Sequence, residues 1–417
     1  EYNTGNTPAV QANVVYTVDE LPLDGYTLDS IVCMDATGAV IGADGTLTLA
    51  LDQDVTCTVF NDDDAPTLVL NKVVTNDDTG DLDPVDFDLT LTGADTVHDA
   101  GVDYVDGNMP VIEATVSYEV SETPPAGYER VSIECVDTDT QLAVPNPFTP
   151  TSGQNISCTV TNDDIAPTLV LNKEVTNDDS GKLLAEDFDL TLTGVDTVHD
   201  TGVDYVDGEM PVIVAGIAYE VTETAPTGYE MTGIECIDID TQQPVTNPFT
   251  PTLGQNVSCT VSNDDIAPTL VLNKSVTNDD AGDLDPADYD FNLTGEDTVH
   301  DAGVDYVDGN MPVIVAGVSF EVSATPPAGY ELTGIACIDV DTQEAVSNPF
   351  IPTIGQNVSC TVSNDDIAPT LVLNKSVTND DAGNLTPADC YLTLTGADTV
   401  HDTGVDYVDG KMPVVVA

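Results

Sequence analysis

The chain has 417 residues, with 75 acidic and seven basic side chains and a formal net charge of −68. That charge repels phosphate backbones and anionic lipid, which excludes nucleic acid and argues against a membrane surface as partner. Hydrophobic residues make up 41% of the chain, too many for a disordered acidic tail, and no apolar run is long enough to span a bilayer.

The chain repeats itself. A phrase reading TCTVFNDDDAPTLVLNKVVTNDD begins at Thr56 and returns, slightly changed, at Ser157, Ser258 and Ser359. Its lysines, Lys72, Lys173, Lys274 and Lys375, are spaced by 101 residues, as are His98, His199, His300 and His401. Solenoid repeats run to roughly 20–50 residues and cannot fold alone. A period near one hundred is instead the size of an independent domain. Whole units are expected at 66–166, 167–267 and 268–368. Residues 1–65 read as the C-terminal part of one unit and 369–417 as the N-terminal part of a further one. Ends out of phase with the period, with no signal peptide, suit a window cut from a longer array.

In the first whole unit, runs rich in Val, Ile, Thr and Tyr alternate with Gly, Pro, Asn and Asp clusters. The pattern predicts an all-β sandwich, with strands near 67–75, 86–92, 102–106, 110–121, 128–137 and 155–162. Side chains alternate faces along a strand. Three inward rows follow: Leu68, Leu70 and Lys72; Tyr118, Val120 and Glu122; Ile156, Cys158, Val160 and Asn162. Each apolar row ends in a polar residue. A lone buried charge costs several kcal/mol, so lysine, glutamate and asparagine are expected to meet. Val131, Ile133 and Cys135 form a fourth inward row, with Cys135 in reach of Cys158.

Eight of the nine cysteines fall in pairs within units: Cys33/Cys57, Cys135/Cys158, Cys236/Cys259 and Cys337/Cys360. No CxxC motif supports zinc. Regular pairing reads as one disulfide per domain in an oxidising compartment, with buried thiols in a reducing cell as the other reading. Cys390 stands where other units carry Phe87, Phe188 and Tyr289, and reads as a small core substitute.

The loop DTVHDAGVDYVDG gathers Asp95, His98, Asp99, Asp103 and Asp106. It reads as a solvated set of Asp and Gly turns, with a histidine–carboxylate metal site as the minor alternative. At the joint between units, Asp163 and Asp164 precede Pro167, and Asp178 and Asp179 follow it; Asp264 and Asp265 repeat the pattern. Oxygen-only clusters of this kind suit calcium, so calcium is possible at the joints, with exposed turns as the alternative and no cofactor required. Five sequons, at Asn155, Asn256, Asn357, Asn292 and Asn384, are treated as incidental to a Ser- and Thr-rich chain. No placed Ser or Cys nucleophile points to a hydrolase.

The segments YEVSETPPAGY (118–128) and YEVTETAPTGY (219–229), together with CTVTNDDIAPTLVLNK, resemble the tandem SpaA-like, or CnaB-type, domains of bacterial surface proteins and pilins. The resemblance covers nearly the whole chain and implies Ig-like, prealbumin-like β-sandwiches. It also implies an isopeptide bond joining the first-strand lysine to the last-strand asparagine, promoted by the glutamate. Carried over, the sets are Lys72, Glu122, Asn162 and Lys173, Glu223, Asn263. The third unit departs from the pattern: it keeps Lys274 and Asn364 but carries Ala324 at the glutamate position, which puts its bond in doubt. The opening segment keeps Glu20 and Asn61, and the positions matching Lys375 fall past residue 417. A buried ion pair capped by the asparagine is the alternative to the covalent bond.

The function this implies is structural: a secreted or surface-anchored stalk, adhesin shaft or fibre subunit that self-associates and has no turnover chemistry. Strand addition between chains is one route to such assembly. A multivalent ligand- or metal-binding adhesin module is the alternative.

Overall fold

A computed structural model describes residues 5, 7–397, 400–408, 410 and 411. It contains strands and short 3-10 turns, as the alternation predicts. In the first whole unit we label the strands β1 (Thr67–Thr75), β2 (Leu89–Gly93), β3 (Val102–Tyr104), β4 (Tyr118–Ser121), β5 (Tyr128–Asp137), β6 (Ala143–Val144) and β7 (Asn155–Asp164). They form two sheets, ordered β6-β5-β7-β1 and β3-β2-β4. The two following whole units repeat the arrangement strand for strand.

Inward residues of both sheets make one core. Leu68 and Leu70 from β1, Ile156, Cys158 and Val160 from β7, and Cys135 from β5 meet Leu89, Leu91, Tyr118 and Val120 from the facing sheet. Each fully buried large apolar side chain contributes roughly 1.5–3 kcal/mol, and every member of this cluster comes from the same unit.

The first and last strands are adjacent and parallel. β1 lies beside β7 in unbroken register, from Thr67 opposite Asn155 to Thr75 opposite Asp163. Three contacts hold β1 on its outer side. Leu70 N–H donates to Asn108 O at 2.9 Å, Gly107 N–H donates to Leu70 O at 2.8 Å, and Lys72 N–H donates to Asp106 Oδ1 at 2.7 Å. The edge strand is therefore capped by the turn VDGN, which removes an open pairing edge.

Cys135 sits directly opposite Cys158 on antiparallel neighbours β5 and β7, and the two are bonded with Cα atoms 4.0 Å apart. The same disulfide joins Cys33–Cys57, Cys236–Cys259 and Cys337–Cys360. Cys390 is free and partly buried.

Two expectations about strands need correction. Val131 does not face the core: it is 59% exposed, because a bulge between Arg130 and Ser132 shifts the register and turns the row outward before Ile133. The stretch 110–117 is not part of a long strand; β4 begins at Tyr118, and Val111 makes only an isolated bridge to Thr67.

Successive units are tied by their connecting residue. Ile165 N–H donates to Gly127 O at 2.9 Å in the unit before, and Ile165 O accepts from Gly254 N–H at 2.7 Å in the unit after. Ile266 does the same between Gly228 and Gly355, at 2.9 and 2.7 Å. Gly228 has φ +86°, and a Cβ there would lie 2.4 Å from Ile354 Cγ1 of the next unit. Backbone conformation and close approach both require glycine.

Candidate functional site

The lysine pocket lies between the sheets at the end of the core. Lys72 points inward from β1 opposite Val160, and Asn162 points inward two residues further along β7. Their parallel register lets the lysine chain run forward to the amide. Glu122 enters from the facing sheet just past the end of β4. Lys72, Glu122 and Asn162 are all buried. Lys72 Nζ contacts Asn162 Oδ1 and lies 3.0 Å from Glu122 Oε1. Its third neighbour is the Phe87 ring, whose centroid is 4.2 Å from Nζ. The three rows deduced from strand alternation do converge.

The second unit repeats the set with a small change of hand-holding. Lys173 Nζ donates to Asn263 Oδ1 at 2.8 Å and to the carbonyls of Val261 and Glu174 at 3.0 and 2.8 Å. Glu223 Oε1 accepts from Asn263 Nδ2 at 2.7 Å, while its Oε2 lies 3.8 Å from Lys173 Nζ. The acid thus touches both the amine and the amide nitrogen. Burial pulls the Lys173 amine below its ordinary range, against the opposing pull of Glu223. Burial likewise pushes the Glu223 carboxyl up. In the opening segment Asn61 Nδ2 donates to Glu20 Oε1 at 3.0 Å, the same acid–amide contact.

In the third unit Lys274 Nζ again contacts Asn364 Oδ1, over the Tyr289 ring at 4.2 Å. Ala324 replaces the acid and packs against the core. Burial alone lowers the Lys274 amine to about 8. Asn364 Nδ2 is buried without a hydrogen-bond partner among the described residues, as is Asn162 Nδ2 in the first unit, whereas Asn263 Nδ2 in the second donates to Glu223.

The histidine loop is not the solvated turn set expected from sequence. His98 is 1% exposed. Its Nδ1 lies 2.8 Å from Asp95 Oδ2 and its Nε2 lies 2.9 Å from Tyr104 Oη, while Tyr118 Oη–H donates to the same Asp95 oxygen at 2.7 Å. Burial opposes the Asp95 charge, but the bonds from Tyr118 and His98 hold its carboxyl well below the usual carboxylate range. Burial and Asp95 push Tyr118 up to about 12. Both ring nitrogens are engaged, so the histidine is a core strut rather than a ready metal ligand. Sequence reasoning missed it; the tyrosines at fixed offsets from each histidine were the available signal.

The acidic joint residues group within a unit rather than across a joint. Asp163 and Asp164 gather with Asp77, and Asp264 and Asp265 gather with Asp178. The parallel pairing of β1 with β7 brings the turn after β1 to the end of β7 of the same unit. Asp164 is occupied there: it accepts from the backbone N–H of Asp77 at 2.9 Å, Asp78 at 3.0 Å and Gly80 at 2.6 Å. Asp265 accepts from Asp179 N–H at 3.0 Å and from Gly181 N–H. These carboxylates serve first as clamps on the TNDD turn.

With this geometry in hand, the chain can be set beside known proteins. The family model described as prealbumin-like fold domain, SpaA_2, matches residues 63–160, 164–261 and 265–362. No curated protein matches. Among solved structures, the chain is similar to the Bacillus anthracis TIE protein, at 15% identity over 82% of this chain and 68% of that one, with a TM-score of 0.36. It is also similar to the pilus adhesin SpaC from Lactobacillus rhamnosus GG, at 13% identity over 82% of this chain, with a TM-score of 0.24, and spans 56% of SpaC. The major pilin from Streptococcus pyogenes matches at 14% identity over 49% of this chain and 99% of that one, with a TM-score of 0.20.

Proposed function

Since the chain belongs to the SpaA-type family of prealbumin-like fold domains, we propose that it is a structural repeat array of the cell exterior, a shaft or fibre segment whose units lock covalently between first and last strand. The observation that carries this reading is the second unit's pocket, where a buried amine meets an amide oxygen at 2.8 Å beside an acid bonded to the amide nitrogen at 2.7 Å.

The chemistry follows from burial. A lowered amine and a raised carboxyl favour the neutral pair, which supplies a nucleophile and a proton donor together. Lys173 Nζ attacks Asn263 Cγ, forming the Nζ–Cγ bond. Glu223 gives its proton to the amide nitrogen and takes one from the attacking amine. The Cγ–Nδ2 bond breaks and ammonia leaves, so one amine and one amide become one new amide and one ammonia. Each unit reacts once, on itself, which is maturation rather than enzymatic turnover.

Four disulfides fit an oxidising exterior, and tandem units supply length. The strong negative charge keeps neighbouring shafts apart. Assembly into fibres and anchoring to a surface belong to the same reading. No helix among the described residues is long and apolar enough to cross a membrane. The reading assigns calcium no role. The enclosed histidines give no support to a histidine-based metal site as the alternative.

Proteolysis of the reduced chain tests the reading. A branched peptide joining the segment around Lys173 to that around Asn263 is expected, and separate linear peptides carrying both residues unmodified would refute it.

A further inference from the structure

We infer that the third whole unit is a built-in extensible element, the place where the shaft lengthens under tension while its neighbours stay closed. The inference rests on the covalent reading of the first two units and adds what the third unit's departure does mechanically.

The geometry of loading comes first. The chain enters the third unit at Thr269, the beginning of its first strand, and leaves at Asp366, the end of its last strand. Those strands are parallel neighbours, paired from Thr269 opposite Asn357 to Thr277 opposite Asp365. Tension along the array therefore pulls the two strands in opposite directions along their shared ladder. The whole ladder resists together until the first strand slides off, an event governed by the rate of unfolding rather than by equilibrium stability.

What happens next depends on the pocket. In the first two units a Lys–Asn bond would join the very strands being pulled apart, from residue 72 to 162 and from 173 to 263, leaving almost no chain to release. The third unit has the amine and the amide in contact but Ala324 in place of the acid. With no carboxyl to protonate the amide nitrogen, ammonia is a poor leaving group and the step described above does not proceed. Tyr289 offers no replacement. Its ring lies beneath Lys274 Nζ, and burial followed by Tyr330, Asp288 and Asp366 pushes its hydroxyl up. A neutral phenol of that kind is a far weaker acid than a carboxyl.

The disulfide then sets the length of extension. Cys337–Cys360 joins the fifth and seventh strands and does not touch the first. Once the first strand slides free, the chain from Thr269 to Cys337 pays out, and tension crosses the disulfide to Cys360. At 3.3–3.6 Å per residue the gain over the folded unit is roughly 20 nm. The 23 residues behind the disulfide stay out of line, and reducing it releases about 8 nm more.

Single-molecule extension of the full chain, held at its two ends, tests this. Wild type is expected to give one abrupt step of roughly 20 nm, lengthened in reductant. A324E should lose one further ammonia and the step together. E223A should add a second step of the same size. No such step in wild type, with one gained in E223A, would leave the covalent reading standing and overturn the inference. Three equal steps in wild type, unchanged in E223A, would overturn the covalent reading and the inference with it. A step that survives in A324E after the further ammonia is lost would also overturn the inference.

Discussion

The second and third units share strand order, register, disulfide and joint, and within the lysine pocket they differ at two positions. Glu223 and Phe188 of one are Ala324 and Tyr289 of the other. If the glutamate were present to neutralise a buried ammonium, its loss should have driven the lysine out or opened the strands. Instead Lys274 stays buried against Asn364, and its first and last strands keep the same pairing. The fold does not need the acid. What Glu223 adds is a carboxyl that accepts from the Asn263 amide nitrogen at 2.7 Å, a position suited to the proton transfer proposed above.

Four perturbations sharpen that contrast. The largest is expected from E223A. On the covalent reading it prevents a cross-link that closes a loop of 90 residues, which chain entropy values at about 4–5 kcal/mol. Denaturant unfolding should bring the second unit down to the level of the third, whereas Ala324→Glu should raise the third toward the second. Reduction of the disulfides comes next. Each closes 23 residues in the whole units, worth about 3 kcal/mol, and the loss should fall equally on acid-bearing and acid-free units. Asp265→Ala is third. It orphans the N–H groups of Asp179 and Gly181, at about 2 kcal/mol, and hydrogen exchange in the TNDD turn should speed up without any change in cross-linking.

The smallest effect is a pH slope confined to the third unit. Burial lowers Lys274 from its ordinary range to about 8. Above that pH the folded unit holds a neutral amine while the unfolded chain still binds the proton. Stability therefore rises with pH from about 8 toward the unfolded lysine value, by at most about 1.4 kcal/mol per pH unit. On the covalent reading, the first two whole units, with their lysine converted to an amide nitrogen, should show no such rise. Thermal melts of wild type and K274M at pH 8 and about pH 9.5 measure the difference.

Much of the pocket was legible from strand periodicity. Three rows ending in Lys72, Glu122 and Asn162 could meet only between facing sheets, and they do. The disulfide followed from the same alternation, since Cys135 and Cys158 occupy opposed inward positions. Where a local irregularity entered, alternation failed: the bulge before Ser132 turned Val131 outward. The histidine strut and the Asp164 clamp were invisible for another reason. Asp95 and His98 sit in a turn, where no period tells inside from outside, and although Asp164 continues the inward row of β7 past Asn162, its partners are backbone N–H groups of a turn. Only the topology, with β1 parallel to β7, brings the TNDD turn onto Asp164.

The intact mass of the reduced, denatured chain tests the central claim most directly. The account expects a deficit of two ammonia molecules, one for each whole unit that carries the glutamate. The full mass expected from sequence would contradict it.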